Sequence, residues 1–270
     1  ICLMKEKIAI IGCGNLGKSI LNGLLNTKEI SPNNLTVTKR NLKSLERHPN
    51  KSFNKTCNNI DAVLNSELII LAIKPYNLIS VLNEIKSKID TNKHIIVSLA
   101  TGISIKEIEA VLPQNTPIYR AMPNTAADVS ESITCICSNI NDQENNNKVR
   151  GIFNSIGSSI FINEDLMESA TVLGACGIAY VLRFIRAMIQ GGIQIGFDAK
   201  TANEIVTQTV KGASELLIKN KQHPEFEIDK VTTPKGCTIV GINEMEHNGF
   251  SSSLIKGLMA SYNDIKNNED

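Results

Sequence analysis

Ile8-Ala9-Ile10-Ile11-Gly12-Cys13-Gly14-Asn15-Leu16-Gly17 decides the fold. Four apolar residues bounded by charge and glycine read as a buried parallel strand. The G-x-G-x-x-G runs straight into a helical pattern through Ile20, Leu21, Leu24 and Leu25. Gly12 permits the tight turn, Gly14 removes a Cβ where a pyrophosphate approaches the backbone, and Gly17 lets the helix pack closely on the strand. Cys13, Asn15 and Leu16 complete this cradle. A structural glycine turn is the alternative, but the setting between strand and helix predicts dinucleotide binding.

Outward from this turn, strand and helix patterns alternate. Strands are read at Leu35–Thr38, Leu68–Ile73, Ile95–Leu99, Ile118–Met122, Ile133–Cys137 and Ser159–Ile162. Helices are read from Asn58 or Asn59 as cap, over Leu78–Ile89 and Ile105–Leu112, and through Val149, Ile152 and Phe153. Alternation of this kind implies a mostly parallel, doubly wound sheet with helices on both faces. Lys74-Pro75 stops one strand and Pro123-Asn124 another, at the carboxyl ends that face the ligand crevice of an open α/β sheet. The second strand ends in Thr38-Lys39-Arg40-Asn41. An NAD-preferring site places Asp or Glu there for the ribose 2′-hydroxyl; two cations instead favour the 2′-phosphate of NADPH, with NADH as the alternative cofactor. The competing reading makes Lys39 and Arg40 a solvated turn.

After Asn163-Glu164-Asp165 the chain becomes helical throughout. The stretch Leu166–Ile195 is apolar nearly all round, so it is expected to be buried on all sides, here by a second subunit. A further helix covers Ala199–Ile218, Lys221-Gln222-His223-Pro224 turns the chain, and the last helix runs over Ser251–Ile265. The architecture expected is α/β: an N-terminal Rossmann-type doubly wound sheet over 1–164 followed by an all-α C-terminal dimerisation and substrate-binding domain over 165–270.

Composition narrows the function. The 270 residues carry a net charge of +1, no Trp and four Tyr. This balance argues against nucleic acid and an anionic membrane surface as partners. Seven cysteines without a C-x-x-C read as reduced thiols, with Cys135 and Cys137 on one strand face, and point to a reducing cytoplasm and no metal. The N-terminal Ile1-Cys2-Leu3-Met4-Lys5-Glu6-Lys7 is not expected to be a signal peptide, and no apolar run is expected to be long enough to span a membrane.

The second informative stretch is Val231-Thr232-Thr233-Pro234-Lys235-Gly236-Cys237-Thr238-Ile239. It sets a loop directly against a helix N-terminus, whose unpaired N–H groups bind a carboxylate without needing an Arg. Thr238 lies just inside the first turn, so its hydroxyl can point at whatever the loop holds. An ordinary capped helix after a polar loop is the bland alternative.

These residues resemble pyrroline-5-carboxylate reductase over nearly the whole chain. The resemblance is carried by Ile10–Gly17, Leu71-Ala72-Ile73-Lys74-Pro75, Arg120-Ala121-Met122-Pro123-Asn124-Thr125, and most specifically Val231–Ile239 continuing to Glu246-His247-Asn248-Gly249-Phe250. It implies NAD(P)H-dependent reduction of 1-pyrroline-5-carboxylate to L-proline, and a homodimer or an assembly of dimers. It further implies that Asn59 and the Ala72-Ile73-Lys74-Pro75 turn contact the cofactor. Pro123 and Asn124 would lie near the nicotinamide. Thr233, Pro234, Lys235, Gly236 and Cys237 would hold the substrate carboxylate, with Thr238 facing the ring nitrogen. The chain departs from the family at Lys235-Gly236, where members usually carry Gly-Gly, at Ala175-Cys176-Gly177-Ile178-Ala179-Tyr180, and at Lys221 in place of a Glu.

The residue types offer no His or carboxylate pair suited to a proton relay, and His223 reads as a turn residue. Catalysis is therefore expected to rest on positioning and electrostatics. A β-hydroxyacid dehydrogenase on the same architecture would need a Lys on the first long helix, and none lies between Leu166 and Ile195. A non-enzymatic NADPH-binding protein is the other rival.

Overall fold

The computed structural model describes residues 4–50 and 52–267. Ile1, Cys2 and Leu3, on which the reading of the N-terminus partly rests, lie outside them. Strand β1 (Ile8–Ile11) passes through the glycine turn into α1 (Asn15–Asn26). Then follow β2 (Leu35–Thr38), α2 (Lys43–Glu46), β3 (Asn54–Thr56), α3 (Asn59–Leu64), β4 (Leu68–Leu71) and α4 (Pro75–Ile85). Next come β5 (Ile95–Ser98), α5 (Ile105–Glu109), β6 (Ile118–Met122), β7 (Ser132–Ser138), α6 (Gln143–Asn154) and β8 (Gly157–Phe161). All eight strands form one sheet in the order β3-β2-β1-β4-β5-β6-β7-β8.

Alternation along each strand divides the core between the two faces. Ile8, Ile10, Leu68, Ile70 and Val97 pack with Leu21, Leu24, Val149 and Phe153 on one face. Ile11, Ile69, Leu71 and Ile96 pack with Leu78, Leu82, Ile85 and Ile108 on the other. Both faces are therefore covered, as runs without polar alternation require. The parallel pairing breaks once, where β7 lies antiparallel to β6.

Some readings are corrected here. β3 was not anticipated: Asn54-Lys55-Thr56 has no apolar run, because an edge strand pairs on one side and faces water on the other. α4 starts at Pro75 rather than Leu78, since Pro fits the first helical position. α6 starts at Gln143, well before the apolar positions Val149, Ile152 and Phe153 that mark it in the sequence, because Asp142 accepts the N–H groups of Glu144 and Asn145.

From Glu164 to Gln194 the chain is one continuous helical run of 31 residues. It comprises a 3-10 turn, α7 (Met167–Ala170), a π-helical stretch Thr171–Cys176 and α8 (Gly177–Gln194). The run is long and apolar enough to cross a bilayer by length and composition, contrary to the expectation that none is. Its most apolar window is only 11% buried within the single chain, so the expected all-round burial is not supplied by the protein's own residues. α9 (Ala199–Asn220), α10 (Pro224–Val231), α11 (Cys237–His247) and α12 (Phe250–Asn267) complete the chain. α10 was not read from the sequence, where Lys221–Pro224 predicts only a turn: His223 caps it, accepting the Glu225 N–H at 3.3 Å, and Pro224 opens its first turn.

The chain divides into two compact units. One ends at Ile178 and takes back the residues from Tyr262; the other is Ala179–Ser261. The second unit has a small buried core of Ile189, Ala202 and Val206, with Ile185, Met188 and Val210 packed against it.

Candidate active site

In the first unit the glycine turn is built as its chemistry requires. Gly12 has φ +93°, and a Cβ there would lie 2.5 Å from the Ile73 side chain and 2.7 Å from the Ala72 carbonyl oxygen. Ala72 and Ile73 are thus the wall against which the turn closes. Above Gly14 the space is open. Gly14 caps α1 without a side-chain hydrogen bond, and the first turn of α1 holds no acid. Its N–H groups are left for an anion, the setting a pyrophosphate needs.

A hydrogen-bonded chain holds this turn in place. The Gly12 N–H donates to Thr38 Oγ1 at 3.3 Å, and the Thr38 hydroxyl donates to Asn59 Oδ1 at 2.8 Å. Asn59 Nδ2 in turn donates to Glu84 Oε2 at 3.0 Å. Thr38 is buried, so its hydroxyl shapes the cradle. The cap of α3 is Asn58, which accepts from Ile60 and Asp61, leaving the Asn59 side chain to this chain of bonds.

Lys39 follows β2 and donates to Ser44 Oγ at 2.8 Å, while Arg40 is exposed. Burial pushes the Cys13 thiol up, and the charges of Lys39 and Lys18 pull against that rise. Both ammonium groups therefore project positive potential onto the turn. Lys18 was missed by sequence reasoning; its only signal is its place one turn into α1. The arrangement fits a phosphate-bearing dinucleotide. Lys74 caps α4 and Pro75 opens it, at the carboxyl end of β4.

Pro123 and Asn124 follow β6 and are buried. Asn124 caps the 3-10 turn Thr125–Val129 and also donates to the Gly174 carbonyl at 3.0 Å. Two residues before Pro123's strand end, Arg120 is 3% exposed and donates to Glu164 at 3.0 Å and Glu168 at 2.8 Å. Burial alone would lower its guanidinium, but Glu168 and Glu164 together hold it above its ordinary value.

In the second unit the Thr233–Thr238 stretch forms a tight turn into α11. The Gly236 N–H donates to the Thr233 carbonyl at 2.8 Å, and Lys235 takes φ +63°. This is the conformation that a turn with Pro at its second position and a positive φ at its third demands. Gly236 caps α11, and a Cβ on it would lie 2.5 Å from Thr233 Oγ1. No side chain caps the helix, and its first turn carries no acid. The N–H groups of Cys237 and Thr238 thus stand at a helix start without a side-chain cap, with Thr238 as the second helical residue. Among the described residues no group of three His, Cys, Asp or Glu comes together to hold a metal.

Comparison with known proteins draws the two units into one family. Residues 164–268 match the family model "Pyrroline-5-carboxylate reductase dimerisation", and residues 7–102 match "NADP oxidoreductase coenzyme F420-dependent". The chain is 44% identical over 271 residues to pyrroline-5-carboxylate reductase 1 of Dictyostelium discoideum, covering 96% of this chain and 49% of that protein, so it spans about half that relative's length. To pyrroline-5-carboxylate reductase 2 of the same organism it is 40% identical over 272 residues, covering 95% of this chain and 91% of that protein. The crystal structure of Plasmodium falciparum pyrroline carboxylate reductase with NADP bound superposes with a TM-score of 0.89 at 29% identity, covering 99% of this chain and 100% of that one. With similarity running through both the glycine-turn sheet and the dimerisation helices, this chain belongs to the pyrroline-5-carboxylate reductase family.

Proposed function

We propose that the protein reduces 1-pyrroline-5-carboxylate to L-proline with a hydride from NADPH, the final step of proline synthesis, and that the residues divide the work as follows. Gly12–Gly17, Thr38, Asn59 and Ala72–Pro75 hold the dinucleotide, and Lys39 and Arg40 read its 2′-phosphate. Pro123 lies beside the reacting ring. The Thr233–Cys237 loop takes the substrate carboxylate on backbone N–H groups, and Thr238 donates to the ring nitrogen. On this reading the division falls at 164/165, with nucleotide binding before it and dimerisation and substrate binding after.

The cofactor, when bound, supplies the hydride that adds to the imine carbon. The nitrogen ends protonated, either because the substrate arrives as the iminium or by a proton from solvent. Thr238 is too weak an acid to give its proton up, so it orients the nitrogen. The protein then works by positioning two reactants, which is worth several kcal/mol in well-oriented systems. One observation above the others supports this: the family similarity takes in both the glycine turn and the α11 loop. The thiols of Cys13, Cys57, Cys135, Cys137, Cys176 and Cys237 are free, which agrees with a reducing compartment such as the cytoplasm. The test is NADPH oxidation with and without pyrroline-5-carboxylate. Substrate-dependent oxidation with proline as product is expected; no dependence on the imine would overturn the reading.

A further inference from the structure

We propose that Asn124 is a positioning residue for the reduction, acting through the helical run rather than by touching substrate. Asn124 is 5% exposed. Its Oδ1 accepts the Ala126 N–H at 3.0 Å, its Nδ2 donates to the Gly174 carbonyl at 3.0 Å, and its own N–H donates to Ser132 Oγ at 3.0 Å. Both ends of the amide are thus committed within the protein.

The acceptor is unusual. Gly174 lies in the π-helical stretch Thr171–Cys176, where the ladder is wider than that of an α-helix. Asn124 supplies that half-buried carbonyl with a side-chain donor from outside the helix, at 3.0 Å. The same strand grips the run a second time through Arg120, which holds Glu164 and Glu168. Arg120 and Asn124 thus fasten the strand and its exit to the helical run at two points. The Asn124–Gly174 bond therefore sets where the backbone at Pro123 stands. The inference rests on the proposed reading that Pro123 flanks the reacting ring.

Asn124→Asp keeps the acceptor for Ala126 and replaces the donor to Gly174; Asn124→Ala removes both. In the full-length enzyme both variants should lose about tenfold to a hundredfold in kcat, the scale of a reacting pair misplaced by about an ångström. KM for pyrroline-5-carboxylate and for NADPH should stay within about threefold. A raised imine KM with kcat retained would make Asn124 a direct ligand and overturn the proposal, as would unchanged kinetics. The carboxyl in Asn124→Asp can donate only when protonated, so kcat relative to the unsubstituted enzyme should recover as pH falls. Titratable Asp128, Cys135 and Cys176 on the packed elements are common to both proteins and cancel in the ratio; a flat ratio overturns the proposal. If the Asn124 variants do not fold, Ser132→Ala decides. It loosens the Asn124 backbone while leaving the amide, so kcat should fall about threefold to tenfold at constant KM, and unchanged kcat counts against the idea. Failure of the unsubstituted enzyme to reduce pyrroline-5-carboxylate would instead sink the functional reading.

Discussion

Thr238 is where the chemistry can be tested most directly. It is the second residue of α11, and the cap position belongs to Gly236, which makes no side-chain cap bond. A donor lost at a reacting centre is worth roughly 1–3 kcal/mol, so Thr238→Ala should lower kcat/KM about tenfold to a hundredfold while NADPH affinity holds. Thr238→Ser should retain most activity. Steady-state rates beside melting temperatures decide it: an Ala variant with full rate and lowered stability would make Thr238 purely structural. At the other end of the reaction, replacing Lys39 and Arg40 together should raise KM for NADPH far more than for NADH, because charge-assisted bonds to phosphate are lost. Equal changes would reduce both to a solvated turn. His94 answers to pH. It is 2% exposed; Nδ1 accepts the Asp90 N–H at 2.9 Å, and Nε2 has no hydrogen-bond partner. Burial, with Lys93 nearby, holds its pKa below the ordinary imidazole value of about 6.5. The unfolded chain therefore takes up a proton first as pH falls. Stability is full above about 6.5 and declines below it. Urea unfolding at neutral and mildly acid pH should show this decline, and His94→Gln should lessen it. These roles were unequally legible in sequence. The glycine turn and the α11 loop announce themselves because backbone chemistry demands Gly, Pro and Thr in order. Asn124's bond to Gly174 has no such signal, since a π-helical stretch leaves no period of its own.

Among the elements, β6 carries more than its length suggests. Arg120 and Glu168 are nearly enclosed, while the Glu164 side chain is 36% exposed and also accepts the Ile105 N–H at the start of α5. Removing the guanidinium strands Glu168 without a partner, and breaking a buried pair from one side costs about 3–5 kcal/mol. Arg120→Ala should fall toward the lower figure, because water can re-solvate Glu164. Denaturant unfolding measures it, and a loss below about 1 kcal/mol would show the pair to be dispensable. The fold-defining elements were readable wherever burial imposed a period: β1, β4, β5 and β6 sit where their apolar runs are. The errors came where burial does not write the sequence. β3 is a polar edge strand, and α10 exposes Phe226 and Val231, so neither repeats an apolar spacing. At α10 the same two residues, His223 and Pro224, signal a turn or a helix start equally well, and here they cap and open a helix.

For the molecule as a whole, the helices decide its state of assembly. Leu182 is 59% exposed and Ile195 79%, and Phe184, Val181, Phe250, Leu254 and Ile255 are exposed as well. Phe184 meets Phe250 at 6.1 Å between ring centres, and these residues border a cavity of about 730 Å³ within the second unit, lined also by Tyr180 and Met245. So many exposed large apolar side chains on these helices favour an interface over a solvated face. It lies inside the span matching the dimerisation model, as does the bilayer-length run Glu164–Gln194. An obligate interface of this kind has no stable folded monomer, so folding and association should be one transition whose midpoint rises with protein concentration. Sedimentation across a dilution series should give dimers or multiples of them, with activity lost only as the fold is lost. Leu182→Glu together with Ile255→Glu should abolish soluble folded protein or leave inactive monomer, since each buried charge opposes association. A folded monomer with full kcat, from either experiment, would refute the obligate dimer and reopen the question of what covers these helices.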